Sequence, residues 1–196
     1  MNDFSKIVYG VIFMNTDLRV IKTENNIEQT FFKLLKELPF EKITIQKILK
    51  AALISKGTFY AHYLDKYDLA EKIVQKFLKQ FKEDLLFRKN GIEHKESYQK
   101  LYKMFLNSIN DTTEHFYILS KLHLENINFE DEIKKILSEV FLSYVTENNI
   151  TLSQQRLQAE IMAGICIMYM KNPDHDNLDF YKFLSSAKEL LNIIPV

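Results

Sequence analysis

The stretch Thr44-Ile45-Gln46-Lys47-Ile48-Leu49-Lys50-Ala51-Ala52-Leu53-Ile54-Ser55-Lys56-Gly57-Thr58-Phe59-Tyr60-Ala61-His62-Tyr63 decides how the chain is read. It holds two short apolar patterns of helical period, each opened by a hydroxyl residue able to cap a helix. Thr44 precedes the first, which turns Ile45, Ile48, Leu49 and Ala52 inward, and Ile43 can pack on Ile48 as a hydrophobic staple. Ser55 precedes the second; Ile54 and Phe59 occupy staple positions, and Phe59 and Tyr63, four apart, share the buried side. Two short helices joined by a tight turn, the second presenting small polar and basic groups outward, form a helix-turn-helix pattern. A helix that enters a major groove about 12 Å wide needs slim polar side chains on its outer face. Lys56, Gly57 and Thr58 supply them in the first turn, beside Ser55, where free amides and the positive dipole end favour phosphate. Tyr60, His62 and Lys66 are placed to reach the flanking backbone, where contacts position a protein without reading sequence. Thr44 can cap its helix and touch phosphate as well.

Upstream, Ile27, Phe31, Leu34, Leu35 and Leu38 fall on one face of a helix that Pro39 stops. Arg19 and Lys22, ahead of that helix, read as a basic arm, either near the groove or disordered and only weakly attracted to it. Downstream, Asp65 is a candidate N-cap, with Asp68 in the first turn, for a helix running to about Phe87. Beyond Gly91 the periodicity predicts helices near 95–110, 113–124, 129–148, 152–171 and 177–192. Their breaks fall at the Asn-rich stretch 126–128, Asn148-Asn149 and Asn172-Pro173-Asp174. With only 4 Gly and 3 Pro in 196 residues, there is little room for a turn-rich β fold, and the chain is predicted to be all-α.

The formal net charge is zero, yet the charge is not evenly spread. Residues 1–90 carry 16 Lys and Arg against 11 Asp and Glu, a net of +5, and residues 91–196 carry 10 against 15, a net of −5. A basic front and an acidic rear point to a polyanion-binding end and a different task at the other. The single Cys166 allows no internal disulfide, in keeping with a reducing compartment. Its apolar run, Ile161 to Met170, is shorter than the roughly 20 residues a membrane span needs. A cytoplasmic location with no membrane partner is expected.

The stretch Phe40 to Ile48, continued by Ser55-Lys56-Gly57-Thr58-Phe59-Tyr60-Ala61-His62-Tyr63-Leu64-Asp65-Lys66-Tyr67-Asp68-Leu69, closely resembles the signature of the TetR/AcrR transcription regulators. The similarity extends over roughly residues 17–85. It implies a TetR-like fold: an N-terminal three-helix helix-turn-helix domain (17–66) and a C-terminal helical bundle (67–196) for dimerisation and ligand binding. Residues 1–16 are set apart as an N-terminal extension, with Met14 a candidate natural start. The resemblance further implies a homodimer on a palindromic operator in double-stranded DNA, acting as a repressor and released by a small-molecule effector. The DNA-contacting set it implies is Lys22, Thr44, Ser55, Lys56, Gly57, Thr58, Tyr60, His62 and Lys66. One position departs from the pattern. Where the family carries Gly this chain has Leu53, which must either accept a strained left-handed backbone or turn differently.

The rear half offers less specific signals. Tyr98, Tyr102, Phe105, Phe116, Tyr117 and Met162 are candidate lining for a ligand cavity, against the plainer reading of aromatic and Met residues as core. Helices 152–171 and 177–192, rich in Ile, Leu, Met and Phe, are the candidate dimer interface. Asp174, His175, Asp176 and Asp179 read as a solvated loop opening a helix; no metal and no cofactor is expected. Neither a Gly-rich phosphate loop nor a nucleophile–base pattern with recognisable context is present, so an enzyme is not expected. The alternative function is a TetR-like adaptor or co-activator governed by a partner protein rather than a ligand.

Overall fold

The computed structural model describes residues 18–90, 114–146 and 151–171, with the side chains of 88–90 and 144–146 left aside. The candidate residues Tyr98, Tyr102 and Phe105, the predicted helices 95–110 and 177–192, the loop at Asp174 and the extension 1–16 lie outside the described residues. The elements in chain order are α1 (Leu18–Glu37), a 3-10 turn (Phe40–Lys42), α2 (Ile45–Ala52), α3 (Lys56–Tyr60), α4 (Lys66–Asn90), α5 (helical over 114–119), α6 (Phe129–Thr146) and α7 (Leu152–Met170). All-α is the architecture of the described residues. The chain divides into two compact units, Met1–Ala70 and Glu71–Val196, with the boundary inside α4.

In the first unit α1 contributes Ile27 and Phe31, both sealed from solvent, while Leu34, Leu35 and Leu38 farther along the same face are half-buried. Pro39 then forces an extended backbone, and the chain makes a 3-10 turn that places the Phe40 ring edge-on to Phe31 (6.1 Å, 88°). Ile43, Ile48, Ala52, Phe59, Tyr63 and Leu69 complete the core. Every cap foreseen in this unit forms. The Thr44 hydroxyl accepts from the Lys47 amide (3.3 Å), and Ser55 accepts from the Thr58 amide (3.0 Å). Asp65 accepts from the amides of Tyr67 and Asp68 (2.8 Å each), while Asp68 accepts from Leu64 (2.9 Å), so the start of α4 is tied on both sides.

Two expectations are corrected here. Arg19 and Lys22 are not an extended arm ahead of the first helix but part of α1, where Thr23 returns its hydroxyl to the Arg19 carbonyl (2.8 Å). The helix placed at 113–124 stops at 119. Ser120 donates its hydroxyl to the Tyr117 carbonyl (3.0 Å), and the Lys121 and Leu122 amides fall back on Ile118 and Leu119 (3.3 and 3.0 Å), closing a 3-10 turn.

In the second unit α6 and α7 form an antiparallel pair. The Lys171 ammonium, just past the end of α7, meets Glu130 at the start of α6 (2.7 Å). Ile133, Ile136, Leu137 and Val140 of α6 are buried, as are Ala159, Ala163, Cys166 and Met170 of α7, whose small residues allow close approach. Phe77 of α4 stacks on Phe81 (6.0 Å, 8°) and meets Phe129 (5.6 Å), which in turn touches Phe116 (5.4 Å). The Lys82–Glu139 ion pair (2.7 Å) ties α4 to α6 at the surface.

Leu53 resolves the question raised by its sequence. It adopts the left-handed conformation (φ 55°, ψ 43°) that a Gly would take freely, and its side chain is 90% exposed. Its amide and that of Ile54 both return to the Leu49 carbonyl, closing α2 in a Schellman-type end. A left-handed L-residue costs about 1–2 kcal/mol, and an exposed side chain gains no packing in return. Leu53→Gly is therefore expected to stabilise the chain by about 1 kcal/mol, after allowing for the extra freedom of Gly in the unfolded chain. Urea unfolding of the two proteins checks this; an unchanged or lowered midpoint would show that Leu53 is not strained.

Candidate nucleic-acid interface

Because α3 has only five residues, its orientation is set by its ends and by the residue beneath it. Phe59 is fully buried, meets Tyr63 at 5.7 Å, and receives the edge of Tyr60 at 5.5 Å (88°). At the start of α3 the Ser55 hydroxyl engages both the amide and the hydroxyl of Thr58 (3.0 and 2.8 Å). Thr58 is thus held in place and remains half-exposed. Lys56 and Gly57 are exposed in the same turn, and the Lys56 ammonium leans over the exposed Tyr60 ring at 5.8 Å from its centre. Thr44, at the start of α2, is exposed as well. The structure brings Ser55, Lys56, Gly57, Thr58 and Tyr60 together on one short helix.

Gly57 is informative because nothing among the described residues requires it. Its backbone is helical, with no positive φ, and an added Cβ would meet only the Ser55 hydroxyl at 3.8 Å, an ordinary contact. A side chain would fit and would favour the helix. The bare backbone leaves room for a close approach at this point.

The remaining candidates sit differently. His62 is nearly covered, its side chain 12% exposed, with Nδ1 3.2 Å from the Glu24 carboxylate on α1. The Lys66 ammonium turns back to the Phe40 carbonyl (3.0 Å) and lies over the Phe40 ring. Lys22 is exposed on α1, apart from the α3 group in sequence and element. Among the candidate ligand residues, Phe116 is buried in the core of the second unit, whereas its neighbour Tyr117 faces out beneath the Lys121 ammonium (3.6 Å). The two do not share a wall. Met162 is half-buried. An open groove between α6 and α7, lined by Asp131, Lys134, Lys135, Glu139, Arg156 and Glu160, contains none of the candidate ligand residues.

Sequence reasoning missed the groups that hold α2 and α3 from behind. Asn26 of α1 donates to the Ala52 carbonyl (2.8 Å) at the end of α2, and Lys47 donates to the Lys42 carbonyl (3.0 Å). The signal was Asn26 itself: a poor helix former beside the core residue Ile27 implies a tertiary partner. Among the described residues, no group of three or more His, Cys, Asp or Glu is placed to hold a metal, and no helix is long and apolar enough to cross a membrane.

Tyr63 gives this unit a pH signature. Burial, then the nearby carboxylates of Glu28, Glu24 and Asp68, push its phenol well above its ordinary value of 10.0. A raised folded-state value means a contribution to stability that is complete below about pH 10 and is lost as pH rises toward the folded-state value. Wild type should therefore lose stability above pH 10 faster than Tyr63→Phe, as read from unfolding free energies across the alkaline range. Parallel curves would refute the buried phenol.

No family profile matches the sequence, and no curated protein matches it. Solved structures do. A transcriptional regulator of the TetR/AcrR family from Aquifex aeolicus superposes with a TM-score of 0.66 at 20% identity, over 88% of this chain and 99% of the other. The dihydroxyacetone kinase operon activator DhaS gives 0.57 at 15% identity, covering 88% and 96%. A gamma-butyrolactone receptor described as ArpA-like gives 0.53 at 18% identity, covering 78% and 83%. The chain therefore has the fold of the TetR/AcrR regulators.

Proposed function

We propose that this chain is a DNA-binding transcription regulator of the TetR type, which reads a palindromic operator as a homodimer through the face of α3. The observation that carries this reading is Gly57, a helical glycine with no internal reason to lack a side chain, set among exposed Lys56, half-exposed Thr58 and exposed Tyr60. Lys56 supplies charge for phosphate, Thr58 and the Gly57 backbone approach base edges, and Tyr60 contacts backbone or base. Thr44, Ser55 and Lys22 belong to the same DNA-contacting set. The regulators among the structural neighbours support the reading, as does the net +5 charge of residues 1–90.

On this reading the chain is a cytoplasmic repressor whose rear unit binds a small-molecule effector, which lowers DNA affinity by favouring one of two states. One structural neighbour is an operon activator, which favours a second reading in which this regulator activates; the adaptor form of that reading has it governed by a partner protein rather than a ligand. The dimer would form through α7 and residues 177–192. Its support is a second apolar face on α7: Leu157, Ile161 and Met168 are 59%, 52% and 54% exposed at helical spacing, with Gly164 open between them. A helix apolar on both faces wants a partner on both.

Selection from a random duplex library tests the DNA reading. Wild type should enrich a two-fold symmetric sequence. Gly57→Ala should unfold at the same or a higher temperature yet weaken binding to the enriched duplex by about tenfold or more, since one lost close contact is worth about 1–3 kcal/mol. Unchanged affinity in Gly57→Ala would remove the observation on which the reading rests. For the dimer, Ile161→Asp should convert the chain to a monomer by light scattering, and an intact dimer would move the interface elsewhere.

A further inference from the structure

Lys66 carries a positive charge at the start of α4, where a phosphate anchor is expected, yet its ammonium is already engaged. It donates to the Phe40 carbonyl at 3.0 Å and, at a longer 3.4 Å, to that of Glu41. It also lies 4.5 Å from the centre of the Phe40 ring and 5.2 Å from that of Tyr67, two rings that meet edge to face (5.2 Å, 90°). An ammonium has three N–H donors, and two are directed at main-chain carbonyls of the 3-10 turn. Neither carbonyl serves as a helix acceptor to α2. Without Lys66, the partly buried Phe40 carbonyl keeps only the Ile43 amide (3.1 Å). The turn so held leads directly into Thr44, whose hydroxyl caps α2.

We propose that Lys66 is a positioning residue for DNA binding rather than a phosphate anchor: cradled by two carbonyls and two rings, it fixes the Phe40–Lys42 turn and with it the start of α2. This rests on the DNA-binding reading above. It assigns the phosphate charge of the recognition face to Lys56, whose ammonium accepts no such duty and is exposed beside Tyr60.

Salt dependence separates the two roles. Each phosphate contact adds about 0.9 to the slope of log affinity against log salt. With the duplex enriched by wild type, Lys56→Met should lower that slope by about 0.9. Lys66→Met, which keeps the aliphatic stem on the rings, should weaken binding about three- to tenfold with the slope unchanged, the behaviour of a group that positions others. A slope reduced by Lys66→Met would overturn the proposal, and so would an unchanged affinity, which would make Lys66 a structural residue only. Acetylation footprinting of the wild-type full chain gives the same answer without a variant. Lys66 should react slowly with or without the duplex, whereas Lys56 should react readily alone and be shielded by DNA. Shielding of a reactive Lys66 by DNA would overturn the proposal. If wild type binds no duplex at any salt, the DNA reading fails and the proposal with it, while slow acetylation of Lys66 in the free chain would still report the cradle.

Discussion

The first unit depends on a single left-handed residue. Leu53 ends α2, reverses the chain within two residues and delivers Ser55 to the start of α3. Had Leu53 stayed in the right-handed region, α2 would have continued and Phe59 could not have reached the core that Ile27, Phe31 and Ile48 close. The strain is local and is held in place by neighbours. Asn26 secures the Ala52 carbonyl, the Leu49 carbonyl takes both following amides, and Phe59 and Tyr63 anchor the other side of the turn. This is how an unfavourable backbone persists: the surroundings over-determine it.

The resulting surface follows from that constraint. A helix as short as α3 is not stable alone, so its position comes from Phe59 below and from caps at its start. What remains outside is a compact group of slim and basic side chains. Exposed cationic, hydroxyl and backbone groups on one short helix fit the proposed contact with a polyanion. Lys66 and His62 show that a polar side chain near such a surface can be turned inward. The first is turned into main-chain carbonyls and the second onto Glu24 of α1, and both tie the segment around α2 and α3 to its scaffold.

Much of the first unit was legible in the sequence because its signals are local. Caps at Thr44, Ser55 and Asp65 and buried pairs such as Phe59 with Tyr63 depend on residues within four positions of each other. The unforeseen contacts join distant positions: Asn26 with Ala52, Glu24 with His62, Lys66 with Phe40. No periodicity announces them. In the second unit the helices α6 and α7 were legible within a residue or two, but the end of α5 was not, because one serine hydroxyl at Ser120 competes for a helix carbonyl. Adjacent Phe116 and Tyr117 illustrate the same limit: composition marks both as aromatic, and only packing divides core from surface.

On the proposed function, the first turn of α3 is the surface presented to DNA. Amide chemical shifts of the isotopically labelled full chain, followed by nuclear magnetic resonance as duplex DNA is added, test it directly. The largest changes should fall on Ser55, Lys56, Gly57, Thr58 and Tyr60, with a second group near Thr44. Shifts confined to α6 and α7, or none at low salt, would contradict it.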